Sequence, residues 1–242
     1  MKIKSLFISD IHLGNPNSQV DKVLSVLKEY DFENLFIVGD FIDMTYLKRN
    51  FYWHKDYSTV IQKILRLSRK GVNVYYIIGN HDAYVRSFIE DGNLNVGDII
   101  LCNEYIYHSV KDEKIYITHG DQFDGFIIIH PFLYWLGDNA YELSIKINKL
   151  YNFFRKLFGY DYWSLSQYLK NKVKNAIQFI NEYEKWSTIK IKEMKCDSIL
   201  MGHTHAAKII NGKYYNTGDF VESCSYIIET IDGEMILKYY GI

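Results

Sequence analysis

Five times along this chain an apolar, strand-like run breaks off into a tight cluster of polar residues: SDIH at 9–12, GDFID at 39–43, GNHD at 79–82, THGD at 118–121 and GHTH at 202–205. One Gly-Asp or Gly-Asn pair is ordinary turn punctuation. Five such endings are a stronger constraint, because buried strands that run the same way bring their C-terminal ends to one edge of a sheet, where α/β folds hold ligands. The pattern predicts an α/β chain whose five clusters converge. Gly39, Gly79 and Gly202 each precede the residue of interest. A glycine there allows the sharp turn and close backbone approach needed to aim a side chain into a cleft.

The clusters offer Asp10, His12, Asp40, Asn80, His119, His203 and His205, an oxygen and nitrogen donor set without thiolates. That set suits Mn²⁺ first, with Fe or Zn²⁺ as alternatives, and is too rich in imidazole for Ca²⁺ or a Mg²⁺-only cage. It is also too large for one small ion. Two divalent ions about 3.5–4 Å apart, bridged by a carboxylate and a hydroxide, would use every donor and favour in-line attack on phosphorus. His203 and His205 flank Thr204 on an extended exit from an apolar run, so each imidazole can face a different ion.

The intervening sequence supplies a scaffold. Runs at 3–9, 34–38 and 72–78 are short, apolar and rich in β-branched or aromatic residues, as buried strands are. Between them, Val20, Val23, Leu24 and Leu27, then Val60, Ile61, Ile64 and Leu65, recur at helical spacing, with Gly71 placed to end the second helix. The order is βαβαβ. Further short strands are expected at 99–101, 105–109, 114–118, 197–201, 207–210, 214–217, 225–230 and 235–239, so the C-terminal third is mostly hairpins. From about 125 to 194 apolar and aromatic residues recur every three or four positions, which predicts a helical insertion placed as a cap over the clusters. The whole, 1–242, reads as a single domain with that elaboration.

Charge narrows the partners. A net charge of −1 gives no general attraction to nucleic acid or acidic lipid, but residues 146–195 hold eleven Lys or Arg against four acids. Cys102, Cys196 and Cys224 are odd in number and far apart, which fits reduced thiols and a cytoplasmic address. No stretch reads as a signal peptide or a membrane span.

In order and type, D-x-H, G-D-x-x-D, G-N-H-D, H and G-H-x-H, these motifs resemble those of the calcineurin-like metallophosphoesterases, and the resemblance runs from Asp10 to His205. It implies a four-layer fold: two mixed β-sheets in a sandwich flanked by helices. It also implies that Asp10, His12 and His205 bind one metal, that Asn80, His119 and His203 bind the other, and that Asp40 bridges them. His81 is then a non-ligand that protonates the leaving oxygen or steadies the phosphoryl charge, and Asp43 orients it. The chemistry agrees: two cations bring the pKa of a bridging water toward neutrality, and a nearby imidazolium supplies a proton.

A narrower resemblance is to the branch containing the UDP-2,3-diacylglucosamine pyrophosphohydrolases of lipid A biosynthesis, carried by SDIHLG, HGDQFD at 119–124, the aromatic insertion and NTGD at 216–219. It implies cleavage of the pyrophosphate of a UDP-linked glycolipid, peripheral to the inner face of the cytoplasmic membrane. One position departs: those enzymes have Arg where this chain has His81. A nuclease or nucleotide phosphodiesterase on the same dimetal site is the alternative, with the basic insertion as its groove.

Other polar residues have plainer readings. His54, His108 and His130 fall outside the pattern and are left out of the metal site. Asp82, Asp121 and Asp219 are either acids that fix ligand imidazoles or turn residues. Trp135, Phe153, Phe154 and Trp163 form either core or a lipid trough; Lys146, Lys149, Arg155, Lys156, Lys170, Lys172 and Lys174 beside them would suit anionic headgroups.

Overall fold

The computed structural model describes residues 1–89, 92–126, 152, 155–156 and 174–241. They fall into two compact units, one of Met1–Gln122 with Ser187–Ile242 and the other Phe123–Trp186.

The first unit begins with β1 (Lys2–Ile8), α1 (Val20–Glu29), β2 (Asp31–Val38), the six-residue α2 (Met44–Arg49), α3 (Lys55–Arg69) and β3 (Asn73–Ile77). It continues with β4 (Asn93–Val96), β5 (Ile99–Cys102), β6 (Glu104–His108) and β7 (Lys114–Thr118). Helix α4 (Lys174–Met194) runs across the unit boundary into β8 (Ser198–Met201), β9 (Lys208–Ile210), β10 (Tyr214–Asn216), β11 (Ser225–Glu229) and β12 (Met235–Tyr239).

These strands make two mixed sheets, ordered β12-β11-β1-β2-β3-β5-β4 and β6-β7-β8-β10-β9. In the first, β1, β2, β3 and β5 are parallel neighbours; in the second, β7, β8 and β10 are. The strands that end in the five clusters are β1, β2 and β3 of one sheet and β7 and β8 of the other.

Alternation along the central strands builds both cores. Leu6 and Ile8, Leu35 and Ile37, and Val74 and Tyr76 face α1 and α3, where Val23, Leu27, Val60 and Ile64 meet them. Phe7, Phe36, Val38 and Ile77 point the other way and pack with Ile115, Ile117, Leu200 and Tyr215 of the second sheet. Phe7 stacks on Phe36 at 4.9 Å, and Phe36 on Tyr75 at 4.6 Å. Each fully buried Phe contributes about 2–3 kcal/mol by leaving water. A strand buried on both faces has to be apolar throughout, hence the unbroken runs.

Two elements have no signal in the apolar pattern. β4, NLNV, is an edge strand with mostly exposed side chains. α2 buries no residue fully and starts because Asp43 accepts from the Tyr46 N–H at 2.8 Å. α3 begins before its first apolar repeat, where the His54 ring accepts from the Asp56 N–H, and Gly71, at φ +91°, follows its end. Most of the expected insertion, including Trp135, Phe153, Phe154, Trp163, Lys146, Lys149, Lys170, Lys172 and His130, lies outside the described residues, as does the Lys174 side chain.

Candidate metal centre

The ligand-type residues follow their strands directly, and their backbone is unusual. Asp10, His12, Asp40, His203 and His205 all have φ between +50° and +61°. Each left-handed non-glycine costs about 1–2 kcal/mol, and such strain gathers where function requires a fixed side-chain direction. Loop-to-loop hydrogen bonds hold it: Asp10 N to Gly39 O, His12 N to Asp40 O, Gly202 N to His119 O and Phe220 N to Asp10 O, at 2.9–3.1 Å. Gly39, Gly79 and Gly202 are each required by packing, Gly202 because a Cβ there would sit 2.4 Å from Asp10 Oδ2. A Cβ on Gly39 would sit 2.1 Å from His119 Nδ1, and one on Gly79 would sit 2.2 Å from Asp40 Oδ1.

Three groups of donors result. Asp10, His12 and His205 form one, Asp40, His119 and His203 a second, and His12, Asp43 and His81 a third, each with donor atoms within 4.8 Å of one another. The Asp40 carboxylate stands between the first two, its Oδ2 3.7 Å from His12 Nε2 and 3.3 Å from His119 Nε2. Asn80 joins through Oδ1, 3.2 Å from His119 Nε2. His203 and His205, flanking Thr204, thus join different groups.

The third group orients imidazoles. Asp43 accepts at Oδ2 from His12 Nδ1 (3.2 Å) and Asn15 Nδ2 (3.2 Å), and at Oδ1 from His81 Nδ1 (2.7 Å) and the Tyr46 N–H. A carboxylate can only accept, so both rings keep a proton on Nδ1 and turn Nε2 outward. The Val38 carbonyl, 2.9 Å from His119 Nδ1, fixes that ring the same way.

The charge balance fits cations. His12 Nε2 is buried without a hydrogen-bond partner, and Asp10 Oδ1, equally buried, has the His205 Nε2 atom 3.1 Å away. Burial opposes charge on all the site carboxyls, yet facing imidazoles hold Asp10 at about 2 and Asp40 and Asp43 below the usual carboxylate range. Burial likewise opposes charge on His12 and His119, but Asp43 and Asp40 raise His12 to about 9, and Asp40 raises His119 to about 10. A cavity that draws protons onto buried imidazoles has an excess of negative potential. Divalent cations would take the place of those protons, and the residues present fit them.

The other acids separate. Asp82 accepts from Gly79 N, Phe41 N and the Tyr76 hydroxyl, so it holds two cluster loops together and touches no imidazole nitrogen. Asp121 makes a two-pronged pair with Arg86. Asp219 accepts from Val221, Glu222 and Ser223 N–H groups, with Oδ2 3.9 Å from His205 Nδ1. His54 caps α3 and His108 is exposed.

Sequence reasoning passed over three supports. Asn15 bonds Asp43. Ser9 donates to Asp10 Oδ2 at 2.5 Å, and Asn216 donates to the Gly202 carbonyl and to Thr204 Oγ1. Ser9 and Asn216 lie inside quoted motifs, but a sequence does not say which motif positions face inward.

The calcineurin-like phosphoesterase family matches the chain over residues 3–207, a span that includes all five clusters. The chain belongs to that family. Family members work with two metal ions, and the donor groups described above could hold such ions here. Curated relatives are named UDP-2,3-diacylglucosamine hydrolase. That of Histophilus somni (strain 129Pt) is 30% identical over 128 residues, so the match spans about half the length of each chain, 49%. That of Proteus mirabilis (strain HI4320) is 24% identical over 238 residues, 88% of each. The vacuolar protein sorting 29 structure from Cryptosporidium parvum aligns over 98% of this chain and 90% of its own, at 14% identity and a TM-score of 0.49.

Proposed function

We propose that this chain is a dinuclear metallohydrolase that cleaves the pyrophosphate of a UDP-linked glycolipid such as UDP-2,3-diacylglucosamine, with Mn²⁺ as its working metal. The observation that carries the hydrolase chemistry is the buried His12 Nε2, without a hydrogen-bond partner, and the Asp10–His205 pair, both beside an Asp40 carboxylate shared by two donor groups. The names of the relatives support the substrate. When bound, two divalent ions supply charge stabilisation for the phosphoryl oxygens and make water acidic enough to attack near neutral pH.

The chain's own residues do the rest. Asp10, His12 and His205 would hold one ion, Asn80, His119 and His203 would hold the other, and Asp40 would serve both. His81 is about a third exposed, so its Nε2 can reach a substrate, while its Nδ1 proton rests on Asp43. It donates a proton to the leaving phosphate oxygen or steadies its charge, and Asp43 keeps the ring aimed. Because Asp43 also fixes His12, one carboxylate couples the proton donor to a metal ligand. Free Cys102, Cys196 and Cys224 support a cytoplasmic location.

His81 itself favours a second reading, since the lipid enzymes have Arg at that position: a phosphodiesterase acting on nucleotides or nucleic acid. A substrate panel with Mn²⁺ decides. Release of UMP from UDP-2,3-diacylglucosamine faster than any release from oligonucleotides or generic diesters is the expected result; preference for either of those overturns the glycolipid substrate.

A further inference from the structure

The segment that joins α2 to α3, with the adjoining ends of both helices, reads LKRNFYWHK at 47–55. Phe51 is 83% exposed and Tyr52 61%. Lys48, Arg49, Asn50 and Lys55 around them are exposed too, and no acid occurs from Met44 to Lys55. The first acid beyond, Asp56, lies 3.1 Å from His54 Nδ1. Trp53 has a different place: it packs on the core beneath α3, and its Nε1 donates to Ser58 Oγ at 2.9 Å. One aromatic anchors the tip while two stand in water. Tyr84, 56% exposed, widens the surface, with Lys48 Nζ 5.7 Å from its ring centre.

We propose that residues 48–55 are a docking tip for an anionic lipid bilayer. A bare Phe next to a Tyr costs stability in water and recovers it at a headgroup boundary, where aromatic rings settle at the interface and flanking cations meet lipid phosphates. Lys48, Arg49 and Lys55 outnumber the one acid beside them, Asp56, and the resulting positive charge complements an anionic leaflet, at about a fivefold gain in binding for each cation at the surface. A nucleic acid strand would want stacking platforms spaced along a groove, whereas Phe51 and Tyr52 are adjacent on one loop.

The tip is tied to the metal centre at both ends. Asp43 starts α2, and the Tyr57 hydroxyl of α3 donates to the Asn15 carbonyl, next to the Asn15 amide that bonds Asp43. Docking would therefore hold the edge that contains His81 close to the lipid, a consequence that rests on the glycolipid reading, whereas the docking itself does not.

Co-sedimentation of the full chain with vesicles of phosphatidylcholine plus phosphatidylglycerol, compared with phosphatidylcholine alone, tests it. Binding is expected to the anionic vesicles and to fall with salt. F51S/Y52S and K48E/R49E should each weaken it about tenfold or more, with thermal unfolding as the check on folding and F51S alone in reserve. Wild-type binding by folded variants of both kinds, or a preference for oligonucleotide over vesicles, overturns the tip. These vesicles contain no substrate, so hydrolysis of detergent-dispersed UDP-linked glycolipid is read separately. Turnover without vesicle binding removes the docking alone, and vesicle binding without turnover removes the glycolipid alone.

Discussion

Two polar clusters are buried in the same sandwich, and only one of them is complete. Around Glu229, which is fully buried, Oε2 accepts from Ser5 Oγ at 2.9 Å and from the Tyr107 hydroxyl at 2.5 Å, and Oε1 accepts from the Val110 N–H at 2.7 Å. Asn34 extends the chain to Ser5, and Asn73 to Asn34. Around Asp10, Oδ2 is satisfied by Ser9 and the His203 N–H and Oδ1 pairs with His205 Nε2 at 3.1 Å, but the neighbouring His12 Nε2 has no hydrogen-bond partner. Both clusters begin on β1, at Ser5 inside the strand and at Asp10 just past its end. The Glu229 set has ordinary backbone angles, while Asp10 and His12 are left-handed. A satisfied buried network is accounted for by folding alone; a strained one with an atom left over is shaped for something that arrives after folding.

The contrast breaks most sharply at Asp40. Asp40→Ala removes the carboxylate between the two donor groups, and bound metal and Mn²⁺-dependent hydrolysis of a generic phosphodiester should both fall to background. Metal analysis and a chromogenic diester assay read the two, and full activity would mean the donor groups are not a metal site. His81→Ala comes next. It should keep its metal and lose about 10²–10⁴ in turnover, as expected for a lost acid–base group. Loss of metal would make His81 a ligand and merge the third donor group with the first.

How much of this was legible follows from the length of chain each feature needs. The five clusters could be read because strand, turn and ligand lie within a few adjacent residues, and the apolar runs of β1, β2 and β3 gave the parallel core for the same reason. β4 could not, since an exposed edge strand has no buried face to impose alternation. Asp43 was read as a partner of His81, but its hold on His12, on Asn15 and on the start of α2 depends on how separate loops cross. Glu229 left no trace, because Ser5 lies 224 positions away and no local pattern records such a pairing. The parallel placement of β10 on β8, with β9 outside it, is likewise a matter of three-dimensional order.

Glu229→Ala should sharpen the comparison from the other side. It leaves the Ser5 and Tyr107 hydroxyls only each other as partners and removes the acceptor of the Val110 N–H, at a cost of about 2 kcal/mol in denaturant unfolding, while metal content and turnover of the folded fraction stay as in the parent. Mn²⁺ should raise the melting temperature of the parent and of this variant alike, by mass action on the folded state, and should leave Asp40→Ala unmoved. Stabilisation of Asp40→Ala by Mn²⁺ would erase the difference between the clusters.

The smallest effect is expected at Asn15, where the two kinds of polar contact meet in one residue. Its side-chain nitrogen donates to Asp43 Oδ2 at 3.2 Å, its Oδ1 accepts from the Asn17 N–H, and its carbonyl accepts from Tyr57. Asn15→Ala deletes the first two and keeps the third. A hydrogen bond to a buried carboxylate is worth about 1.5 kcal/mol, so turnover should fall roughly tenfold with metal content unchanged, because Asp43 still bonds His12 and His81. If the melting temperature drops while turnover holds, Asn15 only ties down its own loop. If turnover drops at constant stability, the Asp43 carboxylate needs that third donor to keep the His81 ring aimed, and the oriented edge extends one residue further than its ligands.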